Sequence, residues 1–245
     1  DPTLSVGKVA GRPGPLTAAC DSFEVEVIGR AGHSARPHLC SDAIAAAASW
    51  VGELYARVPR VHDCRDPAVV SVGTFHGGSA PNIVAGQASL SGTMRTFSES
   101  ARAAIMQEMH NLAAATAQST GCQVNISFSA YTPSVHNDAE LHRTMLQTAR
   151  TLPSIDQAEV LELPSMGAED FAFFAQHKPV CMMRLGIAGP VLGAHALHTA
   201  AFDIDEGALP IGAGLLAATA IELCSTEEPN GATGHRPTGV DELPY

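Results

Sequence analysis

The sequence predicts an α/β fold that is interrupted by an inserted α+β unit. Two patterns lead to this prediction. Residues 22–130 show strands and helices in the order β-α-β-β-α-β, the order of the ferredoxin-like unit, whose helices cover one face of an antiparallel sheet. Residues 131–225 then alternate helix and strand, which is typical of a parallel sheet. With 245 residues, 45% of them hydrophobic, the chain is long enough for a sizeable core.

The strands of the inserted unit are recognised by alternating apolar and polar residues. Phe23, Val25 and Val27 alternate with glutamates, which predicts a strand with one buried face. Three further strands are predicted in this unit, over residues 69–75, 87–97 and 122–129. In the strand over 87–97, Arg95 lies opposite the apolar residues and should therefore point away from the core.

Two helices are expected in the inserted unit because apolar residues recur at steps of three and four. The first helix begins after Ser41, a candidate N-cap, and ends before Pro59. Its predicted apolar stripe consists of Ile44, Ala48, Val51, Tyr55 and Val58. The second helix runs from Glu99 and stops at Gly121.

The remainder of the chain is predicted to alternate helices and strands, at residues 138–151, 159–163, 169 onward, 180–185 and 205–224. The last helix contains the uncharged stretch Gly207–Ile221. At about 15 residues this stretch is shorter than the roughly 18 to 20 that span a bilayer, so we expect a buried helix and no membrane partner. Residues 226–245 have little to bury, which predicts a disordered tail.

Charge and cysteine usage narrow the functional classes. The chain has 14 basic and 25 acidic residues, a net charge of −11, and no basic cluster that could contact phosphates. We therefore expect no nucleic-acid partner. The six cysteines form no C-x-x-C pair, which argues against zinc-ribbon and thioredoxin sites. Free thiols of a cytoplasmic protein are favoured over the alternative of three disulfides. The first residues do not form a charged segment followed by an apolar one, so we expect no secretory or transit signal within this sequence.

Two histidine-containing segments are candidates for chemistry. His195 and His198 precede an acidic stretch over 202–206, and imidazole is the commonest nitrogen ligand for zinc. The alternative is a pair of polar loop residues, because a metal site needs three or four ligands. The second segment, G-R-A-G-H-S-A-R-P-H over 29–38, places His33 on a loop, either as a hydrogen-bond donor or as a plain surface residue.

Three further segments place polar groups at turns and on a strand. Residues 77–82, G-G-S-A-P-N, present the amide of Asn82. Residues 92–97, G-T-M-R-T-F, carry Arg95, whose guanidinium either grips a carboxylate with two hydrogen bonds or is simply solvated. Residues 165–171, S-M-G-A-E-D-F, permit a sharp turn at Gly167, and Glu169 either faces a substrate or caps the following helix.

Taken in order, these five segments resemble the second half of the M20 metallopeptidases, in particular the amidohydrolase branch of aminoacylase, hippurate hydrolase and auxin-conjugate hydrolase. The resemblance implies a zinc-peptidase-like α/β catalytic domain, formed in part by residues 1–20 and 131–225. It implies an inserted ferredoxin-like lid or dimerisation domain over residues 21–130, through which a homodimer forms. The implied activity is hydrolysis of the amide bond of N-acyl amino acids by a metal-activated water.

The resemblance also implies roles for individual residues. His198 is implied as a metal ligand, and His33 as a catalytic residue that reaches across the dimer to polarise the scissile carbonyl. Four residues are implied to bind the substrate: Asn82, Arg95, Gly167 and Glu169. His195 matches no required position of the family.

The other metal ligands of the family have no counterpart in this sequence. They lie in a C-G-H-D-like segment, in a glutamate pair that supplies the general base, and in a histidine before a D-P step. We therefore expect this chain alone to hold neither the two divalent ions, whether zinc, manganese, cobalt or nickel, nor activity. Two alternatives stay open: a dipeptidase or carboxypeptidase of the wider M20 group, and a non-catalytic module that only dimerises.

Overall fold

The computed structural model describes residues 1–226, so the predicted tail lies almost wholly outside the described residues. The strands are β1 (Lys8–Gly11), β2 (Gly14–Thr17), β3 (Ala19–Ile28), β4 (Gly32–His33), β5 (Ala68–Gly77), β6 (Ile83–Val84), β7 (Gln87–Thr96), β8 (Gln123–Thr132), β9 (Val135–Asn137), β10 (Gln157–Val160) and β11 (Arg184–Leu185). The α-helices are α1 (Ala43–Arg57), α2 (Glu99–Thr120), α3 (Ala139–Thr151) and α4 (Ala208–Thr226). Short 3-10 helices occur at Pro37–Leu39, Val58–Arg60 and Asp170–Gln176.

Residues 19–132, called the inserted unit below, form a four-stranded antiparallel sheet in the order β5-β7-β3-β8. Its long strands and its two helices follow one another along the chain as β-α-β-β-α-β. The core lies between the sheet and these helices, where Phe23, Trp50 and Met109 are at most 1% exposed. Alternate side chains of a strand point to opposite faces, so Glu24 and Glu26 of β3 lie on the open face of the sheet.

Local contacts fix α2 and the centre of the sheet. The Ser98 hydroxyl caps α2 by accepting a hydrogen bond from the Ala101 N–H at 3.0 Å. The helix ends at Gly121, whose φ of 67° favours glycine. In β7, Gly92 leaves room for the ring of Phe23, since a Cβ at this position would lie 2.4 Å from the ring.

Residues 1–17 and 135–226, called the flanking unit below, build a three-stranded sheet in the order β10-β1-β11. β1 runs parallel to β10 and antiparallel to β11, so the sheet is mixed and not purely parallel as predicted. α3 and α4 pack beside it around a core that includes Val9, Met145, Ile211 and Leu215.

A two-stranded ribbon joins the two units. Within the flanking unit β2 pairs with β9, and within the inserted unit β3 pairs with β8. The chain crosses from β2 to β3 at Ala18 and returns from β8 to β9 through Pro133 and Ser134. Ala18 is fully buried, and its N–H lies 3.0 and 2.9 Å from the carbonyl oxygens of Ser165 and Gly167. The first crossing is therefore bonded to the turn over 165–169.

The buried face of α1 differs from the predicted face. Ile44 and Tyr55 of the predicted stripe are 39% and 49% exposed. The buried face carries Ala43, Ala46, Ala47, Trp50 and Leu54. The helix is rich in alanine, so two stripes fit the same periodicity, and the larger apolar area of Trp50 decides between them. The N-cap is Asp42 and not Ser41, because the Asp42 carboxylate accepts from the N–H groups of the first turn.

Strand limits in the flanking unit also differ from the prediction. The strand predicted over 159–163 lies at Gln157–Val160, and the strand predicted over 180–185 is reduced to Arg184–Leu185. The short helix after Glu169 is of the 3-10 type. β1, β2 and β9 have no counterpart in the prediction, because segments of three or four residues are too short for a period to register.

The prediction that α4 is a buried helix is wrong. Ile211 and Leu215 face the core and are 8% and 3% exposed, but Leu216 and Ile221 are 64% and 68% exposed. The helix also continues to Thr226, beyond the uncharged stretch that the prediction considered. Within residues 1–226, α4 is the one helix long and apolar enough to cross a membrane, a test that core helices of soluble proteins also pass.

Candidate functional site

His33 and Asn82 lie side by side at a short ribbon formed by β4 and β6. His33 pairs with Ile83, the residue after Asn82. The Asn82 carbonyl accepts a hydrogen bond from the Ser34 N–H at 3.1 Å. The exposed His33 ring accepts a hydrogen bond at Nδ1 from the Ala35 N–H, also at 3.1 Å. An Nδ1 that accepts is unprotonated, so the neutral ring carries its proton on Nε2 and offers Nε2 as a donor.

The loop that carries His33 is closed at its base. Arg30 and Ser41 exchange two backbone hydrogen bonds of 2.9 and 3.0 Å. The Arg30 Nε donates to the Leu39 carbonyl at 2.7 Å. Gly32 packs closely against Cys40. A Cβ at residue 32 would lie 2.5 Å from the Cys40 Sγ, so a larger residue would require one of the two to move. These contacts limit the positions that the His33 ring can adopt.

Arg95 lies at the opposite end of the inserted sheet and contacts the flanking unit. It is on β7, paired with Cys20 at the start of β3. The side chain points away from the hydrophobic core, as predicted, and its Nη1 donates to the Met166 carbonyl at 2.8 Å. The structure therefore brings Arg95 to the turn that contains Gly167 and Glu169.

The turn over 165–169 is held by hydrogen bonds of its own. The Gly167 N–H donates to the Ser165 Oγ at 3.0 Å. The Ser165 N–H donates to the Leu16 carbonyl at 2.9 Å, which fixes the turn to the end of β2. Glu169 is exposed, and within residues 1–226 its side chain makes no capping hydrogen bond to the following 3-10 helix. Helix capping, the structural alternative for Glu169, is therefore not realised.

His198 lies in the loop between β11 and α4. It is exposed, as is His195 in the same loop. Its φ of 63° falls in the left-handed region. For a residue other than glycine this conformation costs about 1 to 3 kcal/mol and is enriched at functional sites.

The described residues do not fit the two-ion centre that the resemblance implies. Residues 1–226 contain no group of three or more His, Cys, Asp or Glu side chains that could hold a metal ion. In the acidic segment after His198, Asp205 makes hydrogen bonds within the loop. Its N–H donates to the Ile187 carbonyl at 3.1 Å, and its Oδ1 accepts from the Gly207 N–H at 2.9 Å. His198 is therefore a single candidate ligand.

One buried ion pair has no counterpart in the sequence prediction. The Asp21 side chain is 2% exposed and accepts hydrogen bonds of 2.8 and 2.7 Å from Nε and Nη2 of Arg102. The bonds to Asp21 raise the pKa of the Arg102 guanidinium above its ordinary value. The sequence pattern could have indicated this ion pair. Asp21 lies two residues before Phe23, on the same buried face of β3, and a buried carboxylate requires a partner.

One of the cysteines, Cys181, is poorly suited to thiol chemistry. All six lie within the described residues and are unpaired. Burial raises the pKa of the Cys181 thiol to about 11. This thiol is therefore protonated at neutral pH, which makes it a poor nucleophile and a poor metal ligand.

Comparisons with known proteins agree with the division of the chain into an inserted unit and a flanking unit. Residues 20–120 match the family model described as the M20 peptidase dimerisation domain. An N-acetylcysteine deacetylase from Bacillus subtilis is 32% identical over 225 residues, which cover 92% of this chain and 57% of the relative. An N-acetyldiaminopimelate deacetylase from Shouchella clausii is 32% identical over 211 residues, which cover 86% of this chain and 55% of the relative.

The fold is shared with a solved structure from Bacillus subtilis, described as a dinuclear metal-binding peptidase of the M20 family. The two chains superpose with a TM-score of 0.73 and 29% identity, over 92% of this chain and 56% of that chain. This chain thus spans about half the length of the curated relatives it matches. Residues 20–120 therefore contain an M20 peptidase dimerisation domain, and the chain is similar to M20 family hydrolases over about nine tenths of its length.

Proposed function

We propose that this chain is part of a homodimeric hydrolase that cleaves the amide bond of N-acyl amino acids. The two relatives described above are deacetylases of N-acetylated amino acids, which supports this substrate class. In this proposal residues 21–130 are a ferredoxin-like lid, and residues 1–20 and 131–225 are part of the catalytic domain. Unpaired thiols favour a cytoplasmic location.

The observation that carries the proposal is the separation of the candidate residues along one sheet. Arg95 pairs with Cys20 at the start of β3, beside the flanking unit, whereas His33 follows the far end of β3 at Ile28. At about 3.3 Å per residue, this ten-residue strand spans roughly 30 Å. An amino-acid substrate is too small to bridge that distance. In a two-fold dimer, however, the far end of one lid can approach the flanking unit of the other copy.

In this proposal the side chains take the roles that the resemblance implies. The Nε2–H of His33 donates to the scissile carbonyl oxygen of a substrate held by the other copy, and such a donor contributes about 3 kcal/mol to the transition state. Asn82, adjacent to His33, contributes an amide to the same substrate. Arg95 grips the carboxylate of the amino acid from within the chain, where Gly167 and Glu169 line the pocket.

Metal ions belong to the proposal only for the complete enzyme. His198 is one ligand, and the others come from an N-terminal half of the enzyme that this sequence does not contain. The description of the solved relative as dinuclear supports two divalent ions, of which zinc, manganese, cobalt and nickel all accept imidazole. Within this chain, His33 polarises the scissile carbonyl, and Asn82 and Arg95 contact the substrate.

A second candidate function is a module that dimerises without catalysis. It is favoured by the fact that residues 1–226 hold no group of three side chains suited to a metal ion. The two candidates differ in a simple respect: only the hydrolase requires Nε2 of His33 to be an available donor.

The test joins this chain to the part of the Bacillus subtilis N-acetylcysteine deacetylase that it does not cover, and measures acetate release from N-acetyl amino acids. We expect no turnover by the chain alone and turnover by the joined protein. His33→Ala should lower kcat by about 100- to 1,000-fold, because one donor to the oxyanion is lost. His38→Ala, on the same loop, is the matched control and should be nearly silent. A folded, metal-loaded joined protein without turnover contradicts the proposal, and so does a His33→Ala variant of undiminished activity.

A further inference from the structure

The polypeptide crosses between the two units twice, through the β2–β3 strand and the β8–β9 strand, and the ladder is irregular between Cys20 and Ser22 and between Pro15 and Thr17. Hydrogen bonds to the Phe97 carbonyl, from the Ser134 Oγ at 3.2 Å and with the His136 Nε2 at 3.1 Å, add to this connection. Two-stranded ribbons twist more easily than wide sheets. The ribbon alone therefore does not fix the angle between the inserted and the flanking unit.

Arg102, in the first turn of α2, contacts both strands of this ribbon. Its Nε and Nη2 donate to the Asp21 carboxylate at 2.8 and 2.7 Å, and Asp21 is two residues after the start of β3. Its guanidinium carbon lies 4.2 Å from the ring centre of Tyr131, the penultimate residue of β8. The third nitrogen, Nη1, donates to Glu99 of the same helix at 2.9 Å. One side chain thus ties α2 to β3 and β8, at the ends of these strands that lead into the two crossings.

This contact is more buried than an ordinary surface pair. The Asp21 side chain is 2% exposed and the Arg102 side chain 19% exposed, so water screens them little. A two-point bond between guanidinium and carboxylate also fixes their relative orientation, which a single hydrogen bond does not. The position of Arg102 is therefore transmitted to the backbone of β3.

A pocket of about 330 Å³, half open to solvent, lies beside the contact and is lined by residues that include Ala19, Thr96, Arg102, Tyr131 and Pro133. Because this pocket is open and not a close-packed core, it leaves the ribbon room to bend. On the other side of the sheet, Arg95 donates to Met166 and supports the same region.

We propose that Arg102 is a positioning residue that sets the angle between the inserted and the flanking unit. This role goes beyond the proposed hydrolysis and does not depend on it. Without the side chain, β3 and β8 lose their common attachment to α2 next to the two crossings, and the inserted unit samples a wider range of angles.

The test is a distance measurement by pulsed electron resonance on the full chain. Spin labels are attached through azide-bearing residues at Gln118 of α2 and Gln147 of α3, both exposed, which leaves the six cysteines untouched. Labelled chain is diluted with unlabelled chain, so that only distances within one copy are recorded. At about 1.5 Å per residue, Gln118 lies roughly 24 Å along α2 from Arg102, so a rotation of about 10° moves it by about 4 Å.

Arg102→Met is compared with Arg57→Met as the matched control. Arg57 also bonds a buried carboxylate, that of Glu108 at 2.7 Å, but it joins α1 to α2 away from the ribbon. We expect one narrow distance distribution for the parent and for Arg57→Met. For Arg102→Met we expect a distribution broadened or displaced by several Å, and Arg102→Lys should recover it in part.

Arg102→Met leaves Asp21 buried without a partner and can fail to fold for that reason alone. The double variant Asp21→Asn with Arg102→Met removes the unpaired charge as well as the contact, and it should show the same broadening. The proposal is overturned if either folded variant gives the distribution of Arg57→Met. It is also overturned if Arg57→Met folds but neither variant does, since the pair would then hold the fold and not the angle.

Discussion

The sharpest consequence of the His33 loop geometry concerns Gly32→Ala. The added Cβ would lie 2.5 Å from the Cys40 Sγ, whereas ordinary contacts begin at 3.4 Å, so either the β4–β6 ribbon or Cys40 must move by about 1 Å. Overpacking of this kind costs about 1 to 3 kcal/mol. In the double variant Gly32→Ala with Cys40→Ala the sulfur is absent, so the cost should fall by at least about 1 kcal/mol relative to the sum of the single variants.

Urea denaturation of the four chains of this cycle measures that coupling. Amide exchange of Ser34, whose N–H is bonded to the Asn82 carbonyl, reports the ribbon itself and should accelerate in Gly32→Ala. Gly52→Ala is the matched control: nothing lies within 4 Å of its Cβ in the exposed middle of α1. It should stabilise the chain by about 0.5 to 1 kcal/mol. If the effects of Gly32→Ala and Cys40→Ala are additive and Ser34 exchange is unchanged, the Cys40 sulfur does not limit the space beside Gly32.

Two further predictions concern stability. Trp50→Ala should lower the free energy of unfolding by about 3 to 5 kcal/mol, as measured by urea titration. Ile44→Ala, on the exposed face of α1, should lower it far less. Equal losses for the two variants would mean that the face predicted from the sequence is the buried one. Burial lowers the pKa of His142 below its ordinary value. The unfolded chain therefore binds the proton first, and stability should fall as pH decreases below about 6.5, by at most about 1.4 kcal/mol per pH unit. His142→Gln should flatten that fall in pH-dependent denaturation, and the exposed His110→Gln should not; an unchanged slope in His142→Gln would contradict the assignment.

The sequence predicts long amphipathic elements well when one face is buried. Phe23 and Val25 of β3 alternate with exposed glutamates, and the structure buries the apolar set as predicted. α1 shows the limit of that argument, because alanine on several faces leaves the periodicity ambiguous until Trp50 meets its neighbours in the core. The outer face of α4 is apolar in sequence as well, and no local pattern distinguishes it from the face that packs.

Pairings between distant segments are beyond local patterns. β2 and β9 each have three or four residues, and Gly14 finds its partner at Asn137, more than a hundred positions along the chain. The adjacency of His33 and Asn82 likewise depends on the β4–β6 register, which two-residue strands do not encode in their own composition. The motifs identified these two residues as candidates, but only the fold places them at the opposite end of the sheet from Arg95.

In the proposed dimer, the substrate site is shared between two copies of the chain. The most direct measurement mixes His33→Ala and Arg95→Ala variants of the joined protein and follows acetate release after subunit exchange. Random pairing makes half of the dimers mixed, and each mixed dimer has one intact site of two, so activity should recover to about a quarter of the parent value. If mass spectrometry detects mixed dimers but activity stays at the level of the separate variants, His33 and Arg95 act within one copy and the account is wrong.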